Sequence, residues 1–351
     1  MKTLKNVTLW GVVTDISVEN AKIVEIGKSD RPGVDFSGNK IYPGLIDIHV
    51  HGCIGYDTME SGLPEMSDWL LSKGTTTWYP TTMSMSEEDV SRATSADIDF
   101  GHGAIIPGFH LEGPFISKKY KGAMNEKYII PPSLDFLKSM KNVKRITVAP
   151  EVPSAIDFIK RCDIQVSLGH TDTDYETACA AFSAGATSIT HTFNAMKGIH
   201  HREPGLIAAG ADTEKAFAEL ICDGIHVHPS AVRLLVKLFG TERVILISDS
   251  MRATGLGDGE YSFGGQRVTV ENSVAMTDTK NLAGSVSTLF DCVKNAVKFG
   301  IPEHDAVKMA SENPARLMGL NKGKIEVGCD ADFIIVDKDF NLVRAIARGE
   351  F

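Results

Sequence analysis

The 351-residue chain has no uninterrupted apolar run of about 18 residues, the length that crosses a bilayer, and no C-x-x-C pair among its six cysteines. The first absence excludes a transmembrane helix. The second, with Cys53, Cys162, Cys179, Cys222, Cys292 and Cys329 scattered along the chain, leaves no disulfide framework and reads as the reduced thiols of a cytoplasmic protein. The opening residues MKTLKNVTLWGVV lack the apolar core of a signal peptide, so a soluble, cytoplasmic protein is expected. Positive charge is in deficit: 36 Lys and Arg stand against 45 Asp and Glu, a net charge of -9. That balance argues against nucleic acid or an anionic membrane as partner and favours a small molecule. Neither a P-loop nor a G-x-G-x-x-G follows a strand, so ATP and NAD are not implied. There is no low-complexity tract and no short-period repeat.

What is present is a set of residues of metal-ligand type, each standing where an apolar run stops. They are His49 and His51 in LIDIHVHG, Glu112 in GFHLEGP, His170 in VSLGH, His191 in SITHTFNAM and Asp249 in VILISDS. In a strand, residues two apart share a face, so His49 and His51 point the same way and can share one ion. A lone histidine ending an apolar run is ordinarily a hydrogen-bonded core residue; the repetition changes the reading. Imidazole with carboxylate suits catalytic zinc, iron, manganese or nickel, whereas structural zinc more often shows clustered cysteines. One or two divalent ions are expected, with zinc first among them. Cys53, two residues after His51, is either a further ligand or, more plainly, a small packed thiol.

Eight apolar runs alternate with longer amphipathic or Ala-rich stretches: 45–51, 75–81, 104–112, 145–150, 164–170, 188–193, 217–223 and 243–249. Eight parallel strands close a (β/α)8 barrel, whose active site lies at the carboxyl ends of the strands. All six polar residues stand there. Helices are predicted over 66–73, 87–95, 133–140, 155–161, 174–184 and 229–239, with closing helices over 286–299 and 302–318. Asp174 is an N-cap candidate, and Pro229 or Ser230 opens the helix that follows. Residues 1–43 and 320–351 read instead as short strands and turns, forming one small β-sandwich domain outside the barrel domain of 44–319. A β-hairpin insertion near 256–283, containing YSFGG and RVTVEN, is expected over the barrel mouth.

The paired HxH, the late aspartate and the tail G-x-I-x-x-G-x-D-A-D resemble the amidohydrolase superfamily. Within it, HLEGPFIS, TVAPE, SLGHT, THTFNAM, REPG, DGIHV, SDSM and LAGS, in this order over nearly the whole length, resemble the N-acetylglucosamine-6-phosphate deacetylase family. The resemblance implies that Glu112, His170 and His191 bind the principal metal. His49 and His51 match members able to hold a second ion, with Glu112 bridging and Asp249 close by as the acid/base. It further implies that Asn194, Ala195, Arg202, His226, Ala123, Met124, Leu282, Ala283, Gly284 and Ser285 form the substrate site for a phosphorylated amino sugar. In several members the arginine crosses a dimer interface, so a homodimer is implied, with Arg202 serving the neighbouring site. The plainer reading of KGIHHR is a solvated basic loop.

One residue departs from the family. Met124 stands in KYKGAMN where His or Gln is usual, and a thioether cannot donate a hydrogen bond to a carbonyl or hydroxyl. Either another group makes that contact, or the substrate differs in its sugar epimer or acyl group, as in N-acetylgalactosamine 6-phosphate. A non-catalytic scaffold would be expected to have lost ligands, yet all six positions are intact. Gly113, Gly169 and Gly284 read as turn residues where strands give way to loops.

Overall fold

The computed structural model describes residues 1–351. All eight expected strands form, in chain order: Leu45–Val50, Thr75–Thr82, Phe109–Glu112, Val143–Val148, Gln165–Leu168, Ser188–Ile189, Phe217–Ile221 and Val244–Ile247. Each pairs in parallel with its sequence neighbours. The first and eighth strands meet through backbone bonds at their carboxyl ends, Asp249 N–H to His49 O at 3.0 Å and His51 N–H to Ser250 O at 2.8 Å, and close the barrel. The third run pairs as a full strand only from Phe109, because Pro107 has no N–H to give a ladder.

Helices lie between successive strands, at Leu63–Ser72, Glu87–Thr94, Leu134–Ser139, Ala155–Arg161, Tyr175–Ala184, Gly205–Asp212 and Pro229–Phe239, and Leu289–Lys298 follows the eighth strand. Asp174 caps its helix as expected, its side chain accepting from Thr177 N–H. Leu289–Lys298 begins with a reciprocal capping box between Thr288 and Asp291 and buries Leu289, Phe290, Val293 and Ala296 on one face. Burying each of the larger of these side chains contributes about 1.5–3 kcal/mol.

Three expectations need correction. The helix Gly205–Asp212 (GLIAAGAD) was not expected, because two glycines weaken its intrinsic helix signal. Gly210 is there for close packing: a Cβ on it would lie 2.5 Å from the Ile189 side chain. The single closing helix over 302–318 is two, Glu303–Met309 and Glu312–Met318. Pro314 has no N–H for the Ala310 carbonyl, which instead accepts from Ile46 N–H of the first strand at 2.8 Å. Finally, the hairpin insertion is a three-stranded antiparallel meander, Gly259–Phe263, Gln266–Glu271 and Val274–Thr277.

Both termini share one seven-stranded sheet, in which Phe333–Val336 pairs with Lys40–Pro43 and Lys2–Leu9 pairs with Val12–Glu19. Its far edge, Lys22–Ile26, is tied back to the chain ahead of Phe333 by Ile23 N–H to Cys329 O at 2.9 Å and Gly328 N–H to Ile23 O at 2.8 Å. The sheet thus folds into two layers over Leu4, Ile16, Ile23, Phe333 and Ile335. The alternate residues Ile334 and Val336 point the other way and join the barrel core, as a period of two requires. That alternation seats the terminal sheet against the barrel.

Candidate metal centre and substrate cavity

The six strand-end residues converge. His49 and His51 flank Val50 and bring their Nε2 atoms to 3.2 Å of each other. Glu112 lies between two histidine pairs: its Oε1 is 3.2 Å from His49 Nε2 and its Oε2 3.2 Å from His51 Nε2. Oε1 is also 3.1 Å from His170 Nε2 and 3.0 Å from His191 Nε2, and these two nitrogens are 3.1 Å apart. Asp249 Oδ1 stands 3.4 Å from His49 Nε2 and 3.3 Å from His51 Nε2.

Local backbone geometry aims these groups. His170, His191 and Asp249 have φ of 50°, 29° and 50°, a left-handed turn that ends each strand abruptly and directs the side chain toward the barrel mouth. Such conformations cost about 1–3 kcal/mol each and persist where surrounding structure enforces them. Gly169 permits one of these turns through close approach, since a Cβ there would meet Thr190 Cβ at 2.7 Å. Beside Asp249, Gly284 has φ of 58°, and its Cβ would lie 3.2 Å from the Asp249 carbonyl oxygen.

The donor set fits a divalent cation. His51 Nδ1 lies 3.1 Å from the Thr81 carbonyl and His170 Nδ1 2.8 Å from the Tyr120 carbonyl. Each Nδ1 therefore carries the proton in the neutral ring, and each Nε2 presents a lone pair to the centre. Lone pairs of facing nitrogens at 3.1–3.2 Å repel unless a positive charge sits among them. Zinc–nitrogen bonds of about 2.0–2.1 Å in a tetrahedron give ligand–ligand edges of about 3.3 Å, close to the spacing found. Two sets of three ligands satisfy this geometry, His49, His51 and Glu112, and Glu112, His170 and His191, with Glu112 common to both.

The carboxylates at the centre are held ionised, as a cation site needs. Burial alone would raise Glu112, but the facing histidines outweigh it and hold the carboxyl well below its usual range. Asp249 is lowered in the same way by His49 and His51 against its burial. Burial opposes the charge of His51, yet hydrogen bonds to Asp249 and Glu112 raise it to about 9, so an ion that takes the Nε2 lone pair must displace a proton from this ring. Cys53 is fully buried and its thiol pushed up by burial, which suits the packed reading.

Above the centre opens a cavity of about 500 Å³. Of the residues expected in a substrate site, Ala123, Met124, Asn194, Ala195, His226, Leu282, Ala283 and Gly284 line it, with His51, Glu112, His170, His191 and Asp249 at its floor. Ser285 is off the wall: it is buried and its N–H donates to the Asp249 carbonyl at 2.7 Å. Arg202 is also off the wall, exposed, with its guanidinium 2.9 Å from His201 Nε2. Met124 is buried, and its sulfur accepts from Ser84 N–H at 3.2 Å. The meander folds over the mouth, with the Phe263 ring 5.1 Å from that of His51. His226 Nδ1 is 2.7 Å from Asp223 Oδ2.

Sequence reasoning missed several wall residues: Met83, Lys119, Lys121, Phe263 and Lys280. The KKYKG run ahead of Ala123 signalled the first two lysines, whereas nothing local marks Lys280 in the loop after the meander.

The model of the amidohydrolase family matches residues 41–351. The N-acetylglucosamine-6-phosphate deacetylase of Bacillus subtilis (strain 168) is 36% identical over an alignment of 362 positions, gaps included, that covers 95% of this chain and 91% of that protein. The N-acetylgalactosamine-6-phosphate deacetylase of Escherichia coli O157:H7 is 34% identical over 327 residues, 88% of this chain and 86% of that protein. Among solved structures, the N-acetylglucosamine-6-phosphate deacetylase of Thermotoga maritima superposes with a TM-score of 0.92 at 34% identity, covering 99% of this chain and 98% of its own. With a family match of this extent and relatives this similar over nearly full length, the chain belongs to the amidohydrolase family, within the family of N-acetylglucosamine-6-phosphate deacetylases.

Proposed function

We propose that the chain hydrolyses the acetamide of N-acetyl-D-glucosamine 6-phosphate to D-glucosamine 6-phosphate and acetate. The observation that carries this reading is the convergence of four imidazole Nε2 atoms on Glu112, with Asp249 beside them, at the floor of a polar cavity. Glu112, His170 and His191 would hold the principal divalent ion, zinc first among zinc, iron, manganese and nickel, and His49 and His51 with Glu112 a second. An ion there supplies Lewis-acid polarisation of the amide carbonyl and activation of water.

The rest falls to the chain. Asp249 accepts a proton as water adds to the acyl carbon and returns it to the nitrogen as the C–N bond breaks, leaving acetate and the free amine. Asn194, Ala195 and His226 on the cavity wall orient the sugar, with Ala123, Met124, Leu282, Ala283 and Gly284 shaping its surroundings. Ser285 acts from behind, through the Asp249 backbone.

The phosphate is docked by His226 and Arg202. Guanidinium can pair two phosphate oxygens at once. The outward position of Arg202 suits a homodimer in which each arginine serves its neighbour's cavity. The catalytic unit is residues 44–319, buttressed by the sheet of residues 1–43 and 320–351. Six free cysteines suit a reducing, cytoplasmic setting, and no helix is long and apolar enough to cross a membrane.

A second reading, N-acetylgalactosamine 6-phosphate, is favoured by Met124, whose sulfur is engaged with Ser84 and offers no donor to the sugar. The test is acetate release from both epimers by metal-replete protein, with Asp249→Asn as control. Turnover of the glucosamine compound that vanishes in the control supports the first reading. Turnover of the galactosamine epimer alone selects the second, and no turnover of either by metal-loaded protein overturns both.

A further inference from the structure

Beneath the imidazoles the barrel holds an ion pair that the proposed reaction does not use. Arg145 on the fourth strand and Glu219 on the seventh are both 0% exposed and joined in a salt bridge. Arg145 Nη2 also donates to Ser188 Oγ at 3.1 Å, but its Nε and Nη1 have no hydrogen-bond partner. Stability alone does not account for such a pair, because well-packed apolar residues of similar volume often serve as well or better.

What the pair faces is His49. Glu219 Oε2 lies 3.5 Å from His49 Nδ1, and Nε2 of the same ring points the other way, 3.2 Å from Glu112. Backbone carbonyls set the tautomers of His51 and His170. No hydrogen bond does this for His49 or His191, whose Nδ1 atoms are buried without a partner. Of these two, only His49 has a carboxylate other than Glu112 and Asp249 within ion-pair distance.

We infer that Arg145 and Glu219 are positioning residues for His49 and so set the affinity of the ion site formed by His49, His51 and Glu112. Glu219 favours the proton on Nδ1 and leaves the Nε2 lone pair facing Glu112 and His51. Arg145 supplies the countercharge that lets a carboxylate stay in the barrel interior. The site formed by Glu112, His170 and His191 has no such support and is unaffected. This inference rests on the reading of the cluster as a metal centre.

The experiment measures zinc stoichiometry and affinity by competition with a chromophoric chelator, and the visible spectrum of the cobalt-substituted protein. It compares full-length wild type with Glu219→Gln, Arg145→Met/Glu219→Met and His49→Ala. Glu219→Gln strands a buried guanidinium and can unfold the chain, whereas the double variant removes both charges and carries the test. Circular dichroism and melting confirm its fold.

The expected result is two ions in wild type, loss of one in His49→Ala, and in the double variant a second ion weakened about 10–100-fold with the first unchanged. Two ions at wild-type affinity in the folded double variant would overturn this inference and leave the metal reading standing. Equal weakening of both ions would show a merely structural role and also overturn it. A single ion in wild type, or no effect of His49→Ala, would overturn the two-ion reading and this inference with it.

Discussion

The backbone N–H of Asp249 donates to the carbonyl oxygen of His49 at 3.0 Å, so the bond that closes the barrel also sets the proposed acid/base beside the proposed ligands. The Asp249 carbonyl in turn accepts from Ser285 N–H at 2.7 Å. Main-chain contacts, not the carboxylate, hold this turn in place.

It follows that Asp249→Asn should fold and retain metal while losing its ability to take a proton. Removing a positioned general acid/base typically costs about 10²–10⁴-fold in rate. Acetate release and metal content measured on the same sample check this. Near-normal turnover would eliminate the role.

Arg202→Ala should raise KM for a phosphorylated amino sugar far more than for its unphosphorylated form, with kcat little changed. If the arginine serves the neighbouring cavity, mixed dimers of Arg202→Ala and Asp249→Asn regain, at substrate concentrations far below the raised KM, turnover that neither parent shows there. An equal KM effect on both sugars would point to a structural role for the 198–203 loop.

His226 gives a pH dependence. Burial would lower its pKa, but the Asp223 hydrogen bond and charge, with Asp249 adding, raise it above 6.5. The ring therefore keeps its proton to higher pH than a free imidazole, and KM for the phosphorylated substrate should climb as pH rises through that raised value, while the unphosphorylated sugar shows no such climb. Asp223→Asn should move the climb to lower pH. For stability the sign is the same: the contribution of His226 is fully present below about 6.5 and lost as pH rises through its folded pKa. That of Asp223, whose pKa is lowered, is lost as pH falls through its own folded value. Parallel profiles for wild type and Asp223→Asn would count against the pair.

Lys322 ties the terminal segment to the barrel. Its Nζ is 2.6 Å from Asp332 Oδ2 and 3.0 Å from Thr77 Oγ1 on the second strand, and both ionic partners are buried. Lys322→Ala leaves Asp332 without its countercharge and should destabilise the protein by about 3–5 kcal/mol. Denaturant unfolding measures this, and a loss under about 1 kcal/mol, the value of a surface pair, would contradict it.

The parts legible in the sequence have periods or positions of their own. LIDIHVHG announces both a buried strand and two same-face histidines, because alternation is a property of the strand backbone itself. Strands that must be apolar on a barrel wall leave their polar ends conspicuous, so the six site residues could be read one by one. The corrected parts depend on partners distant in the chain. GLIAAGAD is helical because Gly210 must fit against Ile189, and the last helix breaks because the Ala310 carbonyl is taken by Ile46. Lys280 enters the cavity wall only because the meander folds back over the mouth.

By itself, then, the sequence determined the eight strands, seven of the eight helices that follow them, and the chemical identity of the residues at the strand ends, since these follow from local periodicity and side-chain type. Only the tertiary structure decided that Glu112 lies between two histidine pairs, that Arg202 stands outside the cavity, and that Glu219 comes within 3.5 Å of His49. These relations join residues up to 170 positions apart, from His49 to Glu219. They arise when the barrel closes and strands remote in the chain face one another across its axis, which no local pattern can express.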